Sequence, residues 1–380
     1  MGTTAATLTG AISADSHITE PADTYVSRID PAYRDRAPRL HELPTIGCTM
    51  VIDGGTPHEA RVPYNMVAAA GLDPSELGWN KARTWEQLHP GGHDPVARLA
   101  EQDRDGVAAE VIYPSTGMLV CNHPDFDYKY ACNQAYNQWI TEFCSAAPDR
   151  LIGIGQVTMR TIDDAIGELE SIKDLGLRGV MVPGIPQGPD FDDPYWDPFW
   201  RAVVELELPP SFHILTSRGF GASGFRGPKL NGFIATIREI QDIIGTFVFS
   251  GVFDRHPDLR IVSVEADAGW LPHWMYRADH AVKRHGNWLG GTRLERKPSE
   301  YVREHVYVTF QDDWTAFRAA ERGDTLLNPD RLMWASDHPH SDSTWPWSQD
   351  VLTDQTRGMD AHTIERVVRG NCADLYGLPQ

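Results

Sequence analysis

No stretch of this 380-residue chain approaches the roughly 18 consecutive apolar residues that a membrane-spanning helix needs. The first 15 residues also lack a basic start and an apolar signal core, so the expected location is the cytoplasm. Positive charge is scarce: 34 Lys and Arg stand against 53 Asp and Glu, a formal net charge of -19. That balance excludes nucleic acid and anionic membrane surfaces as partners. It does not exclude an anionic small-molecule substrate, because a metal ion or local arginines can reverse the field inside a pocket. Cysteine is sparse too. Cys48, Cys121, Cys132, Cys144 and Cys372 are odd in number, scattered and free of any CxxC pair, which reads as buried thiols. Internal repeats, low-complexity tracts and a second domain boundary are absent, so residues 1–380 read as one domain.

What the chain does contain is an alternation of strand-like and helix-like segments. The strand candidates are Ala11 to Ala14, Ala109 to Tyr113, Leu151 to Val157, Gly179 to Val182, Ser211 to Leu215, Arg260 to Glu265, Val306 to Phe310 and Leu332 to Ser336. Between them lie helix-compatible stretches such as Pro124 to Ala146, Ile162 to Leu175, Pro198 to Leu206 and Gly232 to Phe253. Eight strands with intervening helices predict an α/β fold of the closed (β/α)8 TIM-barrel type rather than an open sheet. The span from about residue 22 to residue 99, rich in Pro, Gly and His, is too long for an ordinary connection and reads as an insertion or lid over the catalytic face. Short pieces at Cys48 to Ile52 and Ala60 to Val62 predict a small hairpin inside it. A second long loop, Thr216 to Lys229, carries four glycines just after His213 and is expected to close over substrate.

The chemistry sits where apolar runs stop on acids and imidazoles. Ala11-Ile12-Ser13-Ala14 ends on Asp15-Ser16-His17, and Leu332-Met333-Trp334-Ala335-Ser336 ends on Asp337-His338-Pro339-His340. His213 lies in the fifth strand candidate. Barrels place their chemistry at the carboxyl ends of strands, where distant parts of the chain converge. Asp15, His17, His213 and Asp337 form a mixed nitrogen and oxygen donor set suited to one divalent ion, zinc or manganese, with iron also compatible. Each residue alone has a plainer reading. His213 fits a hydrogen-bonded core histidine, Asp15-Ser16-His17 a loop or helix cap, and Asp337 a turn residue. Their joint placement at strands one, five and eight favours the cluster. Glu265 ends the sixth run, where a dry environment should raise its pKa and suit it to acid–base work; the alternative is an acid that orients a histidine ligand. On the acid–base reading, Glu265→Gln should slow turnover with the metal still bound. Asp267 has a similar claim. Trp270, Trp334 and Trp345 are candidates for an apolar wall against a substrate ring, with ordinary packing as the alternative.

Together these motifs resemble the amidohydrolase superfamily in its amidohydrolase-2 branch, which includes aminocarboxymuconate-semialdehyde and resorcylate-type decarboxylases. The resemblance spans nearly the whole chain. It rests on Ala14 to Pro21, Asp103-Arg104-Asp105-Gly106-Val107, Phe253 to Arg260, Gly269-Trp270-Leu271-Pro272, Ala335 to His340, and Gly370 to Gly377, in that order. It implies a divalent metal inside the barrel, with His17 and His213 as ligands, Asp337 as the acid of strand eight and Asp15 as the first position of the strand-one motif. Many relatives carry His-x-His where this chain has Asp15-Ser16-His17, and the better-studied decarboxylases carry a histidine where Glu265 stands. The activity implied is non-oxidative decarboxylation of a small aromatic or unsaturated carboxylic acid, with Asp337 or Glu265 moving the proton. The same residues also suit a hydrolase that uses a metal-bound hydroxide on an amide, a lactone or an activated carbon–carbon bond. A third reading is a non-catalytic barrel that has lost its metal. Relatives of this kind are commonly dimers, so a homodimer or higher homo-oligomer is expected.

Overall fold

A strand buried on both faces must satisfy two different surroundings, and the residues of this chain sort accordingly with a period of two. The computed structural model describes residues 10–53, 61–217, 227–289, 293–321 and 327–379. Its strands, in chain order, are β1 (Ala11–His17), β2 (Arg39–Leu43), β3 (Gly47–Val51), β4 (Arg61–Pro63), β5 (Val107–Tyr113), β6 (Leu151–Gly153), β7 (Gly155–Gln156), β8 (Val180–Met181), β9 (Pro210–His213), β10 (Ile261–Val264), β11 (Val306–Phe310) and β12 (Leu332–Trp334). Ile12, Ala14, Val111, Ile152, Met181, Val262, Val264 and Met333 fill the inside of the barrel. Their neighbours Ala11, Ile112, Leu151, Val180, Phe212, Ile261, Leu332 and Trp334 pack outward against the helices.

The parallel strands run in the order β1-β5-β6 and, separately, β7-β8-β9-β10-β11-β12. Two seams turn these into one closed (β/α)8 barrel. The first is a single strand interrupted at Ile154. Its β6 half pairs with β5 and its β7 half with β8, while the Ile154 N–H still donates to the Ile112 carbonyl at 3.0 Å. Glycine is required here, since a Cβ on Gly155 would lie 2.8 Å from Ile172 of the covering helix Ile162–Asp174. The second seam joins the two ends of the chain. The Asp337 N–H donates to the Asp15 carbonyl at 3.0 Å, and the His17 N–H to the His338 carbonyl at 2.7 Å.

A buried arginine locks that second seam. The helix Pro95–Asp105 starts behind Asp94, whose side chain accepts from the N–H groups of Val96 and Ala97, and ends at Gly106 with φ 71°. From this helix Arg98, which is fully buried, donates to Glu110 Oε2 at 2.5 Å, to the His17 carbonyl at 2.8 Å and to the His338 carbonyl at 3.1 Å. Gln102 Nε2 and the Ser16 hydroxyl donate to the same Glu110 carboxylate, at 2.7 and 3.2 Å. Truncating one member of a buried ion pair strands the other charge. Arg98→Leu is therefore expected to destabilise the fold by roughly 3–5 kcal/mol, with the double variant Arg98→Leu/Glu110→Leu recovering part of the loss. Urea denaturation checks this, and an unchanged midpoint for Arg98→Leu would contradict it.

The expected hairpin in the insertion is present as a three-stranded antiparallel sheet in which Arg39 faces Val51 and Val62 faces Met50; Ala60 lies outside the described residues. The glycine-rich part of the Thr216 to Lys229 loop, residues 218–226, also lies outside them. All five cysteines are buried and unpaired.

Candidate metal centre and active site

A β-bulge decides which way the strand-one residues point. Ser13 faces Glu110 and Ser16 faces Ile112, so β1 spends three residues where β5 spends two, and the alternation flips. Below the bulge Ile12 and Ala14 line the interior; above it Asp15 and His17 do. Ser13 holds the irregularity, with its hydroxyl donating to the Asp15 carbonyl at 2.7 Å and accepting from the Ser336 N–H at 2.8 Å. On β9 the outward neighbour Phe212 sits among Phe191 and Phe247, with ring centroids 5.6 and 5.4 Å away, which leaves His213 to face inward. Glu265 and Asp337 follow β10 and β12 in left-handed backbone, with φ of 58° and 55°. Such conformations cost on the order of 1–3 kcal/mol each for non-glycine residues and persist only where neighbours enforce them. The Glu265 N–H is held by Thr309 Oγ1 at 3.0 Å, as the Asp337 N–H is held by Asp15.

These four strand ends bring five side chains together. His17 Nε2 lies 3.2 Å from His213 Nε2, 3.5 Å from Asp15 Oδ1, 3.5 Å from Glu265 Oε2 and 3.6 Å from Asp337 Oδ1. His213 Nε2 lies 3.2 Å from Glu265 Oε2 and 3.8 Å from Asp15 Oδ1. Both rings turn their other nitrogen to a backbone carbonyl: His17 Nδ1 to Pro114 at 3.1 Å and His213 Nδ1 to Ile214 at 3.0 Å. A carbonyl only accepts, so in the neutral ring each Nδ1 carries the proton and each Nε2 lone pair points at the other and at the carboxylates. Two facing lone pairs cannot hydrogen-bond to each other. Both oxygens of Asp15 and Glu265 Oε2 are buried with no hydrogen-bond partner.

That donor set fits a divalent cation. It is acceptor-rich, buried and short of protons, and its metal-capable atoms form two overlapping groups, Asp15, His17, His213 and Glu265 in one and His17, Glu265, Asp337 and His340 in the other. The titration behaviour agrees. Burial and then the neighbouring acids push the carboxyls of both Glu265 and Asp337 well above the ordinary range, because negative charges sharing a dry site cannot all persist unneutralised. The two imidazoles diverge. Burial, followed by the His340 and His213 rings, pulls His17 well below its usual value, whereas at His213 the carboxylates of Asp15 and Glu265 outweigh burial and raise it.

Asp337 has one further neighbour that the strand-end argument did not single out. His340 Nδ1 stands 3.0 Å from Asp337 Oδ1, an ion-pair distance without hydrogen-bond alignment. Its ring stacks on His17 at 3.9 Å between centroids, and its Nε2 meets the Ser115 hydroxyl at 3.1 Å. The signal was present in Asp337-His338-Pro339-His340, where the second histidine follows at i+3 across a tight turn.

Beside Glu265 opens a cavity of about 350 Å³ lined by Ile214, Glu265, Asp267, Trp270, Gln311 and Asp342 among others. Burial and then Asp313 push the Asp267 carboxyl up to about 6. Of the three tryptophans expected along a substrate wall, only Trp270 lines this cavity. Trp334 is fully buried on the helix side of β12, because Met333 takes the inward position and alternation turns its neighbour out. Trp345 packs instead on His89 and His338, at 4.9 and 5.4 Å between centroids. The insertion does reach the site's rim: the N–H groups of Ala69 and Ala70 donate to the Pro339 carbonyl at 2.8 and 3.0 Å.

Residues 87–378 match the family model described as Amidohydrolase. Gamma-resorcylate decarboxylase of Rhizobium sp. (strain MTP-10005) is 29% identical over 293 residues, covering 73% of this chain and 85% of that one. Among solved structures, an amidohydrolase from Mycobacterium avium subsp. paratuberculosis K-10 superposes with a TM-score of 0.77 at 21% identity, over 97% of this chain and 99% of the other. A dihydroxybenzoic acid decarboxylase from Polaromonas sp. JS666, with bound manganese and the inhibitor 2-nitroresorcinol, superposes with a TM-score of 0.62 at 18% identity and covers 97% of each chain.

Proposed function

From the premise that this chain belongs to the amidohydrolase family, we propose that it is a metal-dependent, non-oxidative decarboxylase of a small aromatic carboxylic acid. The observation that carries the reading is the convergence of two imidazole Nε2 atoms and unpartnered buried carboxylate oxygens at the barrel mouth, beside a cavity of ring-accommodating size. The resorcylate decarboxylase relative and the manganese-bound dihydroxybenzoic acid decarboxylase support the substrate class and manganese as the ion, with zinc compatible with the same donors.

Asp15, His17, His213, Glu265 and Asp337 would hold the ion. When bound, it supplies charge neutralisation and Lewis-acid polarisation of a substrate carboxylate and an adjacent oxygen. The chain's own residues do the rest. The His17 and His213 tautomers are set by the Pro114 and Ile214 carbonyls, so neither ring needs to reorganise. Asp337, with His340 beside it, gives a proton to the ring carbon that bears the carboxylate. The bond from that carbon to the carboxylate then breaks, its electron pair returns to the ring, and carbon dioxide leaves with Asp337 ionised. Trp270 and Ile214 present apolar surface to the ring, while Asp267 and Asp342 can accept from its hydroxyl groups. The insertion at 22–99, anchored on Pro339, keeps water from the reacting carbon.

Incubating manganese-reconstituted protein with gamma-resorcylate and related hydroxybenzoates should release carbon dioxide and the corresponding phenol in equal amounts. Turnover of esters or lactones with incorporation of water, and none of the acids, would overturn the proposal in favour of a hydrolase. Glu265 Oε2, 3.5 Å from His17 Nε2, 3.2 Å from His213 Nε2 and without a hydrogen-bond partner, supports a place for that residue in the ligand set rather than in acid–base work. Glu265→Gln is expected to weaken divalent-ion binding by about 10-fold or more, measured by chelator competition. Full metal affinity with slowed turnover would restore the acid–base role.

A further inference from the structure

A second group of metal-capable side chains lies apart from the first, and it has the same physical signature. His338 follows Asp337 directly, yet its ring turns to Glu101, with Nε2 2.9 Å from Glu101 Oε2. His89, from the insertion, brings Nδ1 to 3.7 Å from Glu101 Oε1. Three separate segments thus supply one donor atom each to a common point: the insertion, the helix Pro95–Asp105 and the turn after β12. His338 is 2% exposed, and neither its Nε2 nor Glu101 Oε2 has a hydrogen-bond partner of acceptable geometry despite their proximity. An ordinary His–Glu hydrogen bond would align the N–H with the carboxylate. Here the two atoms are close but misaligned, as they are around His17 and His213.

The surroundings hold the donors in place. His89 Nε2 meets the Ala70 carbonyl at 2.6 Å, which puts the proton there and leaves Nδ1 as a lone pair facing Glu101. Trp345 packs edge-on against His89, 4.9 Å between centroids, and its indole N–H donates to the Glu101 carbonyl at 3.2 Å. The nearby Arg98 guanidinium is matched by Glu110, so it does not oppose a cation unbalanced. His89 and Glu101 keep side-chain exposures of 19% and 14%, enough for an ion to enter and for water to complete its coordination.

We propose that His89, Glu101 and His338 form a second divalent-cation site, distinct from the barrel-mouth centre and of the two-histidine, one-carboxylate type that zinc favours. An ion there would tie the insertion to the backbone turn that carries Asp337.

The test is zinc stoichiometry by mass spectrometry of the purified chain, loaded with zinc(II) alone and gel-filtered to remove loosely held metal. Wild type is expected to retain two zinc ions per chain, His89→Ala one, His213→Ala one, and His89→Ala/His213→Ala none. Zinc-soaked crystals should show an anomalous peak between His89, Glu101 and His338. A single wild-type zinc that His213→Ala loses, or two retained by His89→Ala, would overturn the proposal. Should His89→Ala fail to fold, Glu101→Gln carries the same readout, and the presence or absence of the anomalous peak between His89, Glu101 and His338 in wild type still decides. Because the His213→Ala protein reports on the second site without the first, failure of the decarboxylase reading and failure of this site are separately visible.

Discussion

Replacing His213 by Ala is expected to remove the barrel-mouth ion and abolish activity together. His213 is fully buried, its Nδ1 is committed to the Ile214 carbonyl, and its Nε2 stands within 3.2 Å of both His17 Nε2 and Glu265 Oε2. Removing the ring deletes one of the two Nε2 donors that face Asp15 and Glu265 and leaves the three acids with His17 and, on the Asp337 side, His340. A metal centre supplies several kcal/mol of charge stabilisation, so the rate should fall on the order of 1,000-fold or more. Metal analysis and turnover of the same preparation check this, with circular dichroism to verify folding. His213→Asn serves as the smaller perturbation. A folded variant that kept stoichiometric metal at the barrel mouth and its rate would show that His213 is only a core histidine.

The second large effect is expected at Asp337→Asn. The amide is nearly isosteric but cannot deliver a proton to carbon, and general acid–base groups contribute roughly 100- to 10,000-fold. At saturating manganese the variant should bind substrate near wild-type affinity while kcat falls by that factor. Affinity and rate falling in parallel would mean that Asp337 acts only through the metal. His340 offers an internal comparison, since it touches Asp337 Oδ1 at 3.0 Å and stands outside the proposed ligand set. Its replacement by Gln should lower kcat less than Asp337→Asn and leave metal content unchanged.

Much of this architecture is legible in the sequence. All eight barrel strands coincide with runs found from apolar content, with ends displaced by a few residues; Val306–Phe310 matches at both ends. The helices Phe126–Cys144 and Ile162–Asp174 fall inside or within a residue of their expected spans. Asp15, His17, His213 and Asp337 do meet. The failures are equally specific. Trp334 lies near a strand end as a substrate-wall residue should, yet proximity in sequence says nothing about which face a residue takes, and it packs against the helices. His340 has no strand-end signature, because it enters from the turn beyond β12. Arg98, which grips the carbonyls of both His17 and His338, has no local signature at all.

Residue order alone determined the alternation of strands and helices, the absence of a long apolar span and the identity of the metal-capable side chains, because these depend on short-range periodicity and chemical type. Only the tertiary structure decided their orientation. The bulge between Ser13 and Ser16 changes the phase of β1, and one hydrogen bond that holds it comes from the Ser336 N–H, more than 300 residues away. A phase set by a partner that distant cannot be read from local pattern, and the same holds for Glu265, whose approach to His17 and His213 follows from a left-handed turn held by Thr309 on the next strand.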